Sequence, residues 1–166
     1  MIEITFDTNV YPLSESVKKQ LTELGFSWTY VSVTERETVG TDIRIESGIS
    51  KVEAIAEGWV LGESRIGSCA FADGSILEAV LKIISNGAFP APEKRDKLTP
   101  PQLRQLRDAM ILSAHVRTNR DIFVSNDLRA YGPKNGNRQK LESLFDTRIM
   151  TMEEFCRILN EQKQQT

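Results

Sequence analysis

The stretch 121–125 (DIFVS) constrains the fold more than any other part of the sequence. Its nearly continuous apolar run is typical of a β-strand that is buried on both faces. Such strands belong to parallel sheets, because the crossover helices that connect parallel strands cover both faces of the sheet. The remaining chain should therefore supply further strands that alternate with helices.

Short β-rich segments and helical segments do alternate along the chain. Further strands are predicted at 2–6 (IEITF), 28–33 (WTYVSV) and 148–150. Four predicted helices begin at a residue whose hydroxyl can cap the helix, namely Ser14, Thr34, Thr99 and Thr151. Two further helices are predicted at 73–86 and 140–145. This alternation predicts an α/β fold with three layers, α/β/α, around a central, mainly parallel, twisted sheet.

The length of 166 residues fits a single domain, which we expect to span 1–166 with an irregular insertion at about 42–98. In that range, glycines and prolines interrupt the periodic segments. The two cysteines lie outside any CxxC pair, which argues against a disulfide framework or a zinc site and favours a cytoplasmic location. No apolar run approaches the roughly 20 residues of a membrane span, so we expect no membrane partner.

Three aspartates are candidates for a functional site. Asp7 directly follows the first predicted strand and Asp127 follows the strand at 121–125; parallel sheets bind ligands beyond the carboxyl ends of their strands. Asp108 lies within an otherwise apolar helix, where a carboxylate costs free energy unless it is paired or binds a cation. Acids that converge at one edge would repel one another unless a metal neutralises them, and oxygen ligands suit Mg²⁺ and Mn²⁺.

Each acid also has an ordinary explanation. Asp7 and Asp127 are suited to capping the turns that follow their strands, and Asp108 could pair with Arg104, four residues earlier on the same helix. On spacing alone, Glu37, near a predicted helix start, is better explained as a solvated or dipole-stabilised side chain.

Basic residues concentrate in the segment 129–140 (RAYGPKNGNRQK), which contains no acid. The net charge of −2 does not by itself indicate nucleic-acid binding. Because the segment follows Asp127 immediately, it is either a solvated loop or a phosphate-contacting rim around an acidic centre. The candidate RNA-binding residues are Arg129, Lys134, Arg138 and Lys140.

The sequence around these acids resembles PIN-domain ribonucleases. FDTNV at 6–10 looks like the first-strand motif of that family. The stretch 108–127 is similar to its signature, in which an acid opens an A/I/L-rich helix segment and a buried strand ends in Thr/Ser-Asn-Asp. RIMTMEEFCRIL at 148–159 resembles the last strand and its Thr-x-x-Glu-Phe helix, and Thr34 to Glu37 resembles the Thr-x-x-Glu arrangement, which favours Glu37 as a further acid.

The resemblance implies a PIN-like fold and metal-dependent hydrolysis of RNA phosphodiester bonds, as in the toxins of toxin–antitoxin pairs. Single-stranded RNA is the implied substrate, and an antitoxin-like protein and a homodimer are the partners that the family suggests. The implied roles are catalytic for Asp7, Glu37, Asp108 and Asp127, Mg²⁺- or Mn²⁺-binding for Asp7, Asp108 and Asp127, and supporting for Asn9, Ser125 and Asn126.

Two other functions compete with this interpretation. A phosphohydrolase of the haloacid dehalogenase type also has an Asp at the end of its first strand, but that family places a second Asp two residues later, where this chain has Asn9. A non-catalytic PIN-like module that binds RNA or protein would keep the fold and lose the metal, and the intact acidic set argues against it. The only histidine, His115, is interpreted as structural, because a Ser-His-Asp or Cys-His mechanism has too few parts here.

Overall fold

The structure is a computed structural model that describes residues 1–42, 50–52 and 74–163. Its strands form one sheet in which every hydrogen-bonded pair is parallel, with the order β3-β2-β1-β4-β5. The strands are β1 (Glu3–Phe6), β2 (Ser27–Val31), β3 (Ser50–Val52), β4 (Ile122–Val124) and β5 (Arg148–Met150). The central strand, β1, pairs Ile4 with Trp28 on one side and with Ile122 on the other.

Helices follow the strands as the alternating pattern predicts. Within the described residues they are α1 (Glu15–Glu23), α2 (Ser32–Glu37), α3 (Ser75–Ile84), α4 (Pro100–Arg117), α5 (Leu128–Tyr131), α6 (Asn137–Phe145) and α7 (Met152–Lys163). At two of the predicted helix starts, the first residue forms hydrogen bonds with the residue three positions later. The Gln102 side chain accepts hydrogen bonds from the Thr99 amide and hydroxyl, both at 2.9 Å. The Thr151 amide donates to Glu154 at 2.7 Å, and the Glu154 amide donates to the Thr151 hydroxyl at 3.2 Å.

The helices cover both faces of the sheet. Residues of α1 and α7 pack with Ile122 and Val124 on one face, and residues of α3, α4 and α6 pack with Phe123 on the other. Neighbouring residues of a strand point to opposite faces of the sheet. Since helices cover both faces, all three β4 side chains are buried. The prediction of a strand buried on both faces is confirmed, and the chain is an α/β protein with an all-parallel sheet between two layers of helices.

The boundary between the second strand and the helix after it differs from the prediction. The second strand ends at Val31 rather than at residue 33, and α2 begins at Ser32. Glu37 is therefore the last residue of α2 and not a residue near its start. Val33 was assigned to the strand because it is apolar. It belongs to α2, and its side chain is buried in the same core as that of Val31.

The range 42–98, expected to be an irregular insertion, contains regular structure. Ser50–Val52 forms β3, which extends the sheet by pairing with β2, and α3 packs against α4. The helix predicted at 73–86 is present as α3, whereas the strand β3 was not predicted; residues 43–49 and 53–73 of that range lie outside the described residues. A strand of three residues is too short to show the period-2 pattern on which the prediction depends.

The basic segment 129–140 is helical rather than a loop. It contains most of α5, a 3₁₀ turn at Pro133–Asn135 and the start of α6. Gly132 separates α5 from the turn, where a Cβ atom would lie 2.1 Å from the Leu128 carbonyl oxygen, so only glycine fits. No helix in the described part of the chain is long and apolar enough to cross a membrane.

Candidate functional site

Asp7 lies at the carboxyl end of β1, where its amide donates to the Val124 carbonyl at 3.0 Å. Its side chain is 2% exposed and accepts hydrogen bonds from the Thr8 amide at 2.7 Å, the Asn9 amide group at 2.8 Å and the Ser125 hydroxyl at 2.6 Å. Burial raises its pKa from 3.8 to about 6, and the charges of Glu37 and Asp127 add to the rise against the effect of the hydrogen bonds. Asp7 also caps the 3₁₀ turn Thr8–Val10, so its ordinary role is present as well.

Asn9 and Ser125 connect the ends of β1 and β4. The Ser125 hydroxyl, which donates to Asp7, accepts from the Asn9 side chain at 3.1 Å and from the Asp127 amide at 3.1 Å. The side-chain oxygen of Asn9 in turn accepts from the Asn126 backbone amide at 2.8 Å. These bonds form one network that fixes the two strand-end carboxylates relative to each other. The supporting positions predicted from the sequence meet in this network.

Asp127 follows β4 and caps α5. Its carboxylate accepts from the amides of Arg129 at 2.8 Å and Ala130 at 3.1 Å, and the Arg129 guanidinium lies 3.9 Å away. The side chain is 18% exposed. The capping explanation therefore holds for Asp127, and its carboxylate also lies near enough to the other acids for its charge to raise the pKa of both Asp7 and Asp108.

Asp108 has no comparable support. It is half-buried in the middle of α4, and no hydrogen bond or ion pair reaches its carboxylate from any described residue. Its pKa is raised from 3.8 to about 8, chiefly by burial and also by the charges of Asp7, Asp127 and Glu37, against an opposing effect of Arg129. The alternative ion pair with Arg104 does not form, although both side chains line the same cavity.

Glu37 joins the group from the end of α2. The Thr8 hydroxyl donates to its carboxylate and lies 3.2 Å from the hydroxyl of the fully buried Thr34. Because Thr8 follows Asp7 directly, Glu37 lies beside the β1 end of the network. Its charge raises the pKa of both Asp7 and Asp108.

Four acids that are far apart in the sequence thus act on one another at the carboxyl edge of the sheet. As they are placed, no group of three or more His, Cys, Asp or Glu side chains in the described residues is arranged to hold a metal ion. The donor set nevertheless fits Mg²⁺ or Mn²⁺, since it consists of carboxylate oxygens. The unpaired Asp108 carboxylate is the specific feature that a cation would stabilise.

A cavity of about 200 Å³ adjoins the acids. Its lining includes Asp108 and Asp127 together with Arg104, Gln105 and Arg129. From the sequence, Arg104 was expected only as an ion-pair partner of Asp108, and Gln105 was not a candidate. Their spacing of four and three residues from Asp108 places all three on one face of a helix, and this is the signal that could have found them.

Of the predicted RNA-binding residues, Arg129 lies at the acids and has a side chain that is 91% exposed. Lys134 and Lys140 are exposed on the adjoining turn and on α6. Arg138 is instead 13% exposed and paired, because it donates to Glu154 at 2.9 Å and to the Tyr131 carbonyl at 3.3 Å. Arg138 is therefore bound to Glu154 at the start of α7. The local charge pattern does not indicate this partner, because it lies sixteen residues away in the sequence.

His115 is part of the core. It is fully buried, and its two ring nitrogens lie 2.9 Å from the Thr5 hydroxyl and 2.6 Å from the Thr147 hydroxyl. Burial lowers its pKa from 6.5 to about 3, and the charge of Arg120 adds to this effect. A neutral histidine held between two threonines is consistent with the structural interpretation.

The class that fold and site define is an α/β protein with an acidic cluster at the carboxyl edge of a parallel sheet. No protein-family model, curated protein or solved structure matches the chain. The function is therefore inferred from the motifs and from the geometry of the acids.

Proposed function

We propose that the chain is a PIN-like ribonuclease that hydrolyses phosphodiester bonds of single-stranded RNA with Mg²⁺ or Mn²⁺. The observation that carries the proposal is the half-buried Asp108 carboxylate, which has no partner among the described residues and faces three other acids. A carboxylate in that position destabilises the fold unless it is protonated or neutralised by a cation. The resemblance of 6–10 and 108–127 to the PIN motifs supports the same assignment.

Asp7, Asp108 and Asp127 would hold the ion, with Glu37 as a further ligand or as a group that orients water. A bound ion would lower the pKa of its water ligand and offset the charge that develops on the phosphate. The chain prepares for this by fixing its carboxylates: Ser125 and Asn9 both donate to one oxygen of Asp7, and Thr8 orients Glu37. Such positioning of ligands by neighbouring groups is typical of metal sites.

A non-catalytic PIN-like module that binds RNA is the second candidate. The capping roles of Asp7 and Asp127 favour it, because they explain why aspartate stands at both positions without a bound metal. The haloacid dehalogenase alternative loses support, because the Asn9 side chain donates to Asp7 and a second aspartate in its place would repel it.

The decisive assay incubates a labelled single-stranded RNA with the wild type, Asp7→Asn and Asp108→Asn in Mn²⁺ and again in EDTA. Asp146→Asn serves as the matched control, because Asp146 is exposed and has a positive φ that asparagine tolerates well. We expect the wild type and the control to cleave in Mn²⁺ only. Both site variants should lose activity by about a hundredfold or more, since even groups that only position a ligand are worth about 10–100-fold.

Two results would contradict the proposal. Cleavage that persists equally in Asp7→Asn would show that the activity belongs to a contaminant or to another site. A wild type that binds RNA tightly and leaves it intact in Mn²⁺ would identify the chain as a binding module.

A further inference from the structure

The cavity beside the acids is built from three elements and has a distinct chemistry on each side. The end of α3 contributes Ile84, the first half of α4 contributes Pro101, Arg104 and Gln105, and the start of α5 contributes Arg129 and Ala130. Asp108 and Asp127 form its boundary with the candidate site. A molecule in the cavity would therefore lie directly against two of the four acids.

Two guanidinium groups flank the carboxylates of this boundary. Arg104 is exposed on α4, and no ion pair with another described residue involves it. Arg129 is 91% exposed, and its nearest carboxylate, that of Asp127, is 3.9 Å away. Both are therefore available for other anions, and a guanidinium suits the oxygens of a phosphate group. Because the two arginines lie beside the acids, they suit the phosphates of a nucleic-acid backbone that runs past the acidic centre. A small anion bound among the acids themselves would be repelled by them.

The remaining lining suits a nucleobase. Ile84 and Ala130 are buried, each with 6% exposure, and supply apolar surface. Gln105 is half-buried, and its carboxamide makes no hydrogen bond with any described residue. A carboxamide both donates and accepts, so it can pair with the polar edge of a base. Single-stranded RNA is read in this manner, by packing against the face of an unstacked base and bonding to its edge.

We propose that this cavity binds one nucleotide of single-stranded RNA next to the scissile phosphate, with Gln105 contacting the base edge and Arg104 and Arg129 contacting the flanking phosphates. The inference rests on the proposed function, which supplies the RNA and the acids. It adds a source of base preference and, in Arg104, a phosphate contact outside the segment 129–140.

The test measures binding in EDTA, so that it does not depend on cleavage. Short labelled oligomers of A, C and U are titrated with the wild type and with Arg104→Ala, Arg129→Ala and Gln105→Ala. Arg157→Ala and Gln20→Ala are matched controls: they carry the same side-chain types, and neither residue lines the cavity or belongs to the segment 129–140. Thermal melts verify that each variant is folded.

We expect each cavity arginine variant to weaken the binding of all three oligomers by a similar factor, roughly tenfold. Each should also reduce the salt slope by about 0.7, the contribution of one phosphate contact on a single strand. Gln105→Ala should leave the salt slope unchanged and reduce the ratio between the tightest and the weakest oligomer by roughly tenfold. The control variants should behave as the wild type.

The inference is overturned if Arg104→Ala and Arg157→Ala weaken binding equally, if Gln105→Ala leaves the ratio among oligomers unchanged, or if the wild type binds none of the oligomers. These outcomes are separate from failure of the proposed function. A chain that shows the expected variant pattern in EDTA and does not cleave RNA in Mn²⁺ has the nucleotide cavity without the ribonuclease. A chain that cleaves without the pattern has the ribonuclease and a different binding surface.

Discussion

At the scale of single residues, Asp108 determines how stability depends on pH. Its pKa is raised from 3.8 to about 8 in the folded protein, chiefly by burial. The folded state therefore holds a proton that the unfolded state releases between about pH 4 and pH 8, and the free energy of unfolding falls as the pH rises through that window. Asp7, with a pKa of about 6, contributes in the same direction over the lower half of the window.

Asp108→Asn should therefore flatten the decline in stability between pH 5 and pH 8 (roughly the window in which only the unfolded state is ionised). At pH 8 without metal the variant should be as stable as the wild type or more stable, because asparagine removes the charge and keeps the shape of the side chain. Urea denaturation at several pH values measures this. A variant that is much less stable at pH 8 would identify Asp108 as a partner in a structural ion pair.

Ser125 is expected to act on the metal through Asp7. Its hydroxyl donates to Asp7 at 2.6 Å and is the strongest of the hydrogen-bond effects that lower the pKa of that carboxyl. Ser125→Ala should raise the pKa of Asp7 further and weaken Mn²⁺ binding by about 10–100-fold. Ser125→Thr keeps the hydroxyl and should retain most of the affinity. Equal Mn²⁺ affinity in Ser125→Ala and the wild type, measured by calorimetry, would exclude this role.

At the scale of elements, Arg138 connects α6 to the start of α7 by its bond to Glu154. That bond is the main cause that lowers the pKa of Glu154, with the Thr151 amide assisting. A lowered pKa in the folded state stabilises the protein above the ordinary value of 4.5, and the contribution is lost as the pH falls through the folded value.

Arg138→Ala should lower the melting temperature by a few degrees at pH 7 and by less as the pH falls through the lowered pKa of Glu154, because protonation removes the charge that Arg138 pairs with. The effect is modest since the Glu154 side chain is 40% exposed and water screens the pair. Lys134→Ala, on an exposed turn, is the control and should not change the melting temperature. Loss of RNA affinity in Arg138→Ala without loss of stability would instead support the earlier assignment to the RNA-binding set.

The elements also show where sequence reasoning reaches its limit. Strands β1, β4 and β5 and helices α1, α4 and α7 were predictable, because burial on both faces and capping hydroxyls are local signals. The edge strand β3 was missed, and the start of α2 was misplaced, since neither has a periodic pattern longer than a few residues. The Arg138–Glu154 pair depends on how α6 meets α7, which no local pattern contains.

At the scale of the whole molecule, the proximity of Asp7 and Asp127 was predictable, because the sheet topology brings residues that are far apart in the sequence to the same edge. Parallel strands place their carboxyl ends at one edge, so Asp7 and Asp127 had to emerge together once β1 and β4 were neighbours. The position of Asp108 followed only from the resemblance to PIN domains. The cavity with Arg104 and Gln105 was not predicted, because it also requires the end of α3.

If the acids form a metal centre, Mn²⁺ should stabilise the entire fold by mass action, because the unfolded chain does not bring these residues together. At a concentration one hundred times the dissociation constant the gain is about 2.7 kcal/mol, which corresponds to roughly 5–10 °C for a domain of this size. The shift should diminish as the pH falls below about 8, where protons compete for Asp108, and further below about 6, where they compete for Asp7. Thermal melts over a Mn²⁺ series at pH 5 and pH 7.5 (roughly one unit or more on either side of the pKa of Asp7) measure both effects. Asp108→Asn should lose the shift and Asp146→Asn should keep it; an equal shift in both variants would place the ion away from the acids.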